Sequence, residues 1–239
     1  MIARLVWHAG LLAVAVVTIA VQLDRQSAVT PAMSRLVPDP ARAFAQAQIA
    51  ATAYRKGSAD QALTHAQKLV HQRPVPAETL ALLAQAQIKA GQVEEGFVTI
   101  QIAAKRGWRE PNSQEAMLRL ASAAGDDAEA TRRYIALMLQ NRTEDALLSE
   151  FGAQLFGDPD GEGARTLADI VGGSTRWPSA FLQRGARVIP AETFAKVVVA
   201  ASERGTPFDC RLLQHAAGSL RSKSTTATNR LEALVRRQC

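Results

Sequence analysis

Apolar positions divide the chain into one long apolar run and a series of shorter amphipathic segments. Residues 5–23 contain no Asp, Glu, Lys or Arg, and as a helix they would span about 28 Å at ~1.5 Å per residue, close to the thickness of a bilayer core. From residue 41 onwards, apolar residues recur at intervals of three and four, which is typical of helices with one buried face. The pattern predicts an all-α fold that begins with a transmembrane helix.

The apolar run has three interpretations. A membrane anchor over residues 1–25 is favoured, because the region past Asp24 contains no clean pair of small residues at the spacing of a signal-peptidase site. A cleaved signal peptide would use Arg4 as its positive start and residues 9–21 as its apolar region. A buried core helix is the third interpretation.

Charges on the two sides of the run are nearly balanced, since Arg4 and the amino terminus precede it while Arg25 and Arg35 follow it. A short N-terminal tail most simply leaves the larger C-terminal part outside the cytoplasm. The sequence thus favours a single-pass protein with an exported domain. Residues 26–40 contain three prolines and are expected to form an extended linker between the bilayer and this domain.

A repeat with a period of 34 residues follows, since glycines recur from 57 to 91 and from 91 to 125. Five residues after each glycine stands a small residue, and eight residues before it stands an apolar one. The small residues are Ala62, Gly96 and Ala130, and the apolar residues are Ile49, Leu83 and Met117. A glycine in the left-handed conformation ends a first helix, and the small residue lets a second helix cross it closely. The pattern predicts stacked helical hairpins.

This repeat resembles the tetratricopeptide repeat, a pair of antiparallel helices of 34 residues. The clearest copy contains AATAYRKGSADQALTHAQKLVHQRP, in which Ala50, Gly57, Ala62 and Pro74 occupy the family's small, turn, small and proline positions. Three copies cover residues 41–142. The resemblance implies an α-solenoid with a degenerate fourth repeat over 143–175 and a helical C-terminal cap over 176–239.

In this family the first helix of each repeat lines a concave groove. The resemblance implies a groove that includes Tyr54, Arg55, Gln85, Ile88, Lys89, Asn112 and Arg119. Its cations suit an acidic or C-terminal peptide. The family's carboxylate clamp is not expected, because four of its five positions hold Ala47, Ala51, Leu82 and Ala116. A groove filled by the protein's own C-terminal helices is the alternative.

The sequence motifs of common enzymes and metal sites are absent from this chain or incomplete. It has no nucleophile elbow, P-loop or dinucleotide-binding glycine motif, and its four histidines lack zinc-ligand spacing. Residues 158–169 share acidic positions with a calcium loop, but Asp169 stands where that loop prefers Glu, so a solvated turn is expected. The net charge of +6 comes without an arginine-rich tract or aromatic platform. No catalytic site, metal, cofactor or nucleic-acid partner is expected.

The two cysteines are predicted to form a disulfide. Cys210 and Cys239 lie nearly symmetrically about a polar turn near residues 222–228, between two predicted helices. An antiparallel hairpin would bring them to the same end, and an exported location would allow oxidation.

Together these features favour a non-catalytic scaffold that binds another protein. The apolar run predicts a single-pass protein of the bacterial inner membrane, with residues 5–23 in the bilayer and the domain in the periplasm, and the family resemblance alone implies a role in an envelope complex. Two alternatives remain open, namely a cleaved, soluble periplasmic binding protein and a non-catalytic regulatory subunit of an envelope enzyme or export complex.

Overall fold

The fold is all-α, as the sequence predicts. The structure is a computed structural model that describes residues 2–239, and within these it contains thirteen α-helices, two 3-10 helices and no strand. It divides into an N-terminal unit, Met1–Glu110, and a C-terminal unit, Pro111–Cys239. The N-terminal unit contains α1 (Ile2–Ser27), 3-10 helices at Pro31–Arg35 and Asp39–Ala41, α2 (Phe44–Lys56), α3 (Ala59–Gln72), α4 (Ala77–Lys89) and α5 (Val93–Arg106). The C-terminal unit contains α6 (Pro111–Ala123), α7 (Asp127–Met138), α8 (Asp145–Phe156), α9 (Glu162–Gly172), α10 (Pro178–Val188), α11 (Ala191–Glu203), α12 (Cys210–Leu220) and α13 (Thr225–Gln238).

Helix α1 presents its apolar surface to the outside. Every side chain from residue 2 to residue 19 is exposed, and only the last two turns are covered, at Ala20, Leu23, Asp24 and Ser27. The helix is long and apolar enough to cross a membrane. A signal sequence near an N-terminus has the same length and composition. The predicted N-terminal apolar helix is therefore confirmed.

The connection from α1 to α2 differs from the extended linker expected over residues 26–40. Helix α1 continues to Ser27, and two 3-10 helices follow, with Ser34 and Val37 buried. Asp24 explains the difference, because its carboxylate reaches the start of α2. Proline favours extended backbone in a free linker, but its fixed φ also suits the first position of a 3-10 helix, and the prolines at 31 and 40 stand in the first turns of these helices.

The Asp24 carboxylate accepts three backbone N–H groups at the beginning of α2. Its Oδ1 lies 2.9 Å from the nitrogen of Ala43 and 2.8 Å from that of Ala45, and its Oδ2 lies 3.1 Å from that of Phe44. These are the donors that a helix leaves without partners at its N-terminus. The residue at the N-cap position, Ala43, offers no side-chain acceptor. Asp24 therefore caps α2 from 19 residues upstream.

Three of the predicted repeats correspond to the helix pairs α2/α3, α4/α5 and α6/α7, in which the partners pack on each other. Gly91 and Gly125 have φ values of 82° and 71°, as expected for helix-ending glycines. Gly57 differs, with φ at −91° and ψ at 176°. There Ser58 follows at once and forms a capping box with Gln61, so α3 begins without a left-handed residue.

The C-terminal unit has a continuous hydrophobic core. Tyr134 and Phe156 meet edge to face with centroids 5.0 Å apart, and Phe181 stacks on Phe194 at 5.4 Å. The two helices expected for the degenerate fourth repeat, α8 and α9, contact each other less than they contact other neighbours. Helix α9 packs mainly on α7 and α11, and α8 packs on α7 and α10. The arrangement after α7 thus departs from simple hairpin pairing.

The last two helices of this unit pack together and carry the predicted disulfide. Cys210 begins α12 and Cys239 follows α13, and the two residues are bonded with their Cα atoms 5.8 Å apart. Ser224 caps α13 through the amide of Ala227. The helix pair is therefore closed at one end by the turn and at the other by the covalent bond.

Glu129 on α7 forms an ionic cluster with Arg132 and Arg133, and its pKa is lowered in the fold. Partial burial works to raise the pKa of Glu129, but hydrogen bonds and positive charge from Arg133 and Arg132 outweigh it and hold the pKa below its ordinary value. The Arg132 Nη1 lies 3.0 Å from Glu129 Oε2, and Arg133 Nε lies 2.8 Å from Oε1. The charged carboxylate therefore stabilises the folded α7.

Candidate partner-binding groove

Five of the residues predicted to line the groove lie in the N-terminal unit, at the C-terminal ends of α2 and α4. The Lys89 Nζ donates to the carbonyl oxygens of Tyr54 and Gly57, at 2.6 and 2.9 Å, and lies 5.5 Å from the centroid of the Tyr54 ring. Lys89 therefore satisfies carbonyls at the end of α2 and ties α4 to it. Arg55 and Ile88 are exposed, and Gln85 is half-buried.

The other two predicted groove residues lie in the C-terminal unit, on α6. Arg119 pairs with Glu115 one turn earlier, with Nη2 2.8 Å from Oε1, and its guanidinium carbon lies 5.3 Å from the centroid of the Phe151 ring. Asn112 is exposed near the start of the same helix. The charge of Arg119 is thus already matched by a neighbouring carboxylate.

A concave cleft in the N-terminal unit lies closer to the beginnings of the same helices. Its volume is about 390 Å³, and α2, α4 and the end of α3 form its walls. The lining residues are Ala47, Gln48 and Ala51 from α2, Leu69 and Arg73 from the end of α3, and Pro76, Glu78, Thr79 and Leu82 from the start of α4. Small and apolar side chains form much of this surface, with one cation and one anion among them.

Arg73 is held in this cleft by its neighbours. Its guanidinium carbon lies 4.3 Å from the centroid of the Phe44 ring, a distance at which a cation is attracted to the ring face. The Thr79 hydroxyl contacts the carbonyl oxygens of Arg73 and Pro76, at 2.9 and 2.7 Å. Arg106 donates to the carbonyl oxygen of Pro74 at 2.8 Å. The turn that carries Arg73 is therefore fixed from both sides.

The charge of Arg73 has no anionic partner among residues 2–239, since no carboxylate there pairs with it. A guanidinium over an aromatic ring keeps its edge N–H groups available to a carboxylate. Beside Arg73, the cleft is lined by the aliphatic side chains of Ala47, Ala51 and Leu82. The cleft thus combines an arginine without an ion pair, an apolar surface and one carboxylate, that of Glu78.

The sequence pattern does not mark Arg73 or Phe44 as site residues, because their contact joins the end of α3 to the start of α2. The proline-bounded turn after α3, Pro74 to Pro76, was the available signal that this arginine would be fixed in place. Three positions that argue against the carboxylate clamp, namely Ala47, Ala51 and Leu82, line this one cleft.

The acidic run at 158–169 carries ion pairs with cations. Asp160 pairs with Lys196, and that hydrogen bond and charge lower the pKa of Asp160. Asp169 pairs with Arg204 at 2.6 Å. Among the described residues, no group of three or more His, Cys, Asp or Glu side chains is placed to hold a metal ion. These carboxylates have structural partners.

No protein-family model matches the chain, and no curated protein matches it.

Proposed function

We propose that the protein is a membrane-anchored, tetratricopeptide-like scaffold of the bacterial cell envelope that binds another protein and performs no catalysis. The 34-residue spacing and the three helix pairs α2/α3, α4/α5 and α6/α7 support a solenoid of repeats. On this proposal α1 stays in the inner membrane, the domain lies in the periplasm, and no cofactor is required.

The single observation that carries the anchor over a cleaved signal is the Asp24 cap. Cleavage past Asp24 would remove the carboxylate, and cleavage after residue 20 to 23 would keep it but remove most of the helix that positions it. Loss of this cap would leave three N–H groups of α2 without their acceptor, and one of them, that of Ala45, belongs to a fully buried residue. A buried donor without a partner costs ~1–3 kcal/mol. The fold thus favours retention of α1.

Partner binding is proposed at the cleft between α2 and α4. Arg73 would bind a carboxylate of the partner, while the Ala47, Ala51 and Leu82 floor would contact neighbouring aliphatic side chains. A charge-assisted pair of this kind contributes more than a neutral hydrogen bond. The proposed partner segment is therefore apolar with at least one acidic group.

Co-purification from crosslinked membranes tests this proposal, with Arg73→Glu as the variant and Lys105→Glu as the matched control. Both substitutions replace a cation by a carboxylate within the N-terminal unit, but Lys105 is exposed and lies outside both the cleft and the predicted groove. We expect one partner to be recovered with wild type and with the control, and to be lost with Arg73→Glu. Equal recovery with Arg73→Glu would place the binding site elsewhere.

The alternative of a cleaved, soluble periplasmic binding protein or regulatory subunit is tested by mass spectrometry of the mature N-terminus. Retention of residues 2–23 together with resistance to carbonate extraction supports the anchor. A soluble product beginning after residue 20 would overturn it.

A further inference from the structure

We infer that residues 28–37, the post-helix segment, form a docking surface for anionic phospholipid together with Arg25, which lies in the last turn of the membrane helix. The inference rests on the proposed function, because it requires α1 to lie in a bilayer. The surface consists of two exposed apolar side chains, Val29 and Leu36, and two exposed cations, Arg25 and Arg35.

The position of the segment follows from the length of α1. The apolar run ends at Leu23 and the helix ends at Ser27, so its last four residues rise about 6 Å beyond the run. The headgroup layer on each side of a bilayer core is about 5–8 Å thick. Val29 follows Ser27 by two residues and its N–H bonds to the carbonyl of Gln26, so it stays next to the helix end. The segment therefore begins at headgroup depth.

The segment cannot swing away from this level, because both of its ends are fixed to the same unit. Asp24 holds the start of α2 against the last turns of α1. Within the segment, Ser34 and Val37 are buried, and the first 3-10 helix packs against both α1 and α2. Ala20 and Leu23 are half-covered on α1, so the folded unit reaches the end of the apolar run itself.

The exposed side chains of the segment are those that suit a lipid interface. Val29 is 80% exposed and Leu36 is 68% exposed, although both are aliphatic. Inserted at the boundary between headgroups and acyl chains, such side chains lose their contact with water. Ser34 and Val37 are buried on the side of the segment that faces the protein, and Leu36 is exposed to solvent on the opposite side.

The electrostatic field around the segment is positive. No acidic residue occurs between Asp24 and Asp39. Asp24 is buried on backbone donors, and Asp39 is paired with Arg42 and with Lys68, whose Nζ lies 3.1 Å from Oδ2. Arg25 and Arg35 have no ion pair among the described residues. Two unpaired cations at headgroup depth match the phosphates of an anionic leaflet.

The test uses the full chain in vesicles of phosphatidylcholine with or without phosphatidylglycerol. A cysteine at Leu36→Cys carries an environment-sensitive fluorophore, and lipids with nitroxide-labelled acyl chains serve as quenchers. Val98→Cys, on α5, is the matched control because its side chain is also exposed, at 58%. We expect strong quenching at position 36 and little at position 98. Wild type, with both native cysteines bonded, measures background labelling.

A second comparison tests the charges. Near an anionic surface each basic residue contributes ~1 kcal/mol, or about five-fold in the ratio of docked to undocked segment. Arg25→Glu with Arg35→Glu should therefore reduce quenching in the phosphatidylglycerol vesicles. Lys56→Glu with Lys105→Glu makes the same charge change at exposed sites of the same unit and should leave quenching unchanged.

Flotation of the protein with the vesicles distinguishes failure of the docking surface from failure of the membrane anchor. If the protein floats with the vesicles but position 36 is quenched no more than position 98, the docking surface is overturned while the anchor stands. If the charge-reversed pair behaves like its control, the contact with lipid phosphate is overturned. If the protein does not float, the proposed anchor fails and the docking surface fails with it.

Discussion

Replacing Asp24 by alanine should loosen the joint between α1 and α2, because this buried carboxylate caps α2. The carboxylate is 5% exposed and bonds to three amides without a cation beside it. Alanine offers no acceptor, so all three donors lose their partner. Asp24→Asn retains an oxygen for the amides of Ala43 and Ala45 and loses the bond to Phe44.

The loss of stability in Asp24→Ala depends on which of the three N–H groups water can reach. Loss of an ordinary N-cap costs ~0.5–2 kcal/mol. Here Ala45 is fully buried, so its amide remains unsatisfied and adds ~1–3 kcal/mol. We expect a cost of ~2–4 kcal/mol for Asp24→Ala and ~1 kcal/mol for Asp24→Asn, on the same principle that charged acceptors bond more strongly. Asp60→Ala is the control, because Asp60 is exposed in the first turn of α3 and interacts only with the helix dipole, worth ~0.5 kcal/mol.

Hydrogen exchange of the full-length protein in detergent micelles measures this effect directly. The amides at positions 43–45 should exchange roughly 100-fold faster in Asp24→Ala, as a loss of ~3 kcal/mol in local opening energy requires. The control should leave these amides protected. If protection at 43–45 is unchanged in a helical Asp24→Ala variant, the carboxylate is not the cap and the argument for retention of α1 loses its basis.

Three further predictions concern single groups. Gly91→Ala should destabilise the protein by ~1–2 kcal/mol, because alanine is strained at the φ of 82° although nothing lies within 4 Å of the new Cβ. Gly218→Ala is equally open but lies within α12, so it should stabilise the protein by ~0.5–1 kcal/mol. Thermal unfolding of the two variants measures this difference. Glu129 has a lowered pKa in the fold, so its contribution is present above its ordinary value of 4.5 and lost as the pH falls through the folded value; Glu129→Gln should be less stable than wild type at neutral pH, and the difference should shrink in acid unfolding curves. Cys210 and Cys239 should resist alkylation in denatured protein isolated without reductant and react after reduction, whereas free reaction before reduction would contradict both the bridge and the exported location.

Most of the helices could be predicted from the sequence, because each carries its own apolar periodicity and many carry local caps. Ser58 with Gln61, and Gly91 at its left-handed turn, are signals contained within a few residues. The Asp24 cap could not be predicted in the same way, since a capping residue normally stands next to the helix it caps. Here the acceptor comes from a different helix, and only the fold brings it to Ala43.

The candidate site shows the same limit. The repeat pattern assigns both Tyr54 and Lys89 to the groove, but it does not reveal that the Lys89 ammonium is bound to the carbonyl oxygens of Tyr54 and Gly57. Arg73 lies at the end of α3, outside the helices that the family resemblance assigns to the groove. Its contact with Phe44 depends on how two turns meet, which hydrophobic periodicity does not encode.

If α1 is the proposed membrane anchor, the Asp24 joint makes the orientation of the N-terminal unit depend on bilayer thickness. A membrane helix that is too long for its bilayer tilts, at a cost of fractions of a kcal/mol per Å of mismatch. With a flexible tether, such a tilt would end at the membrane surface. Here the last turn of α1 carries the carboxylate that begins α2, so the first hairpin would turn with the anchor. In a membrane of changed thickness, the cleft between α2 and α4 would face a different direction without any change in its own structure.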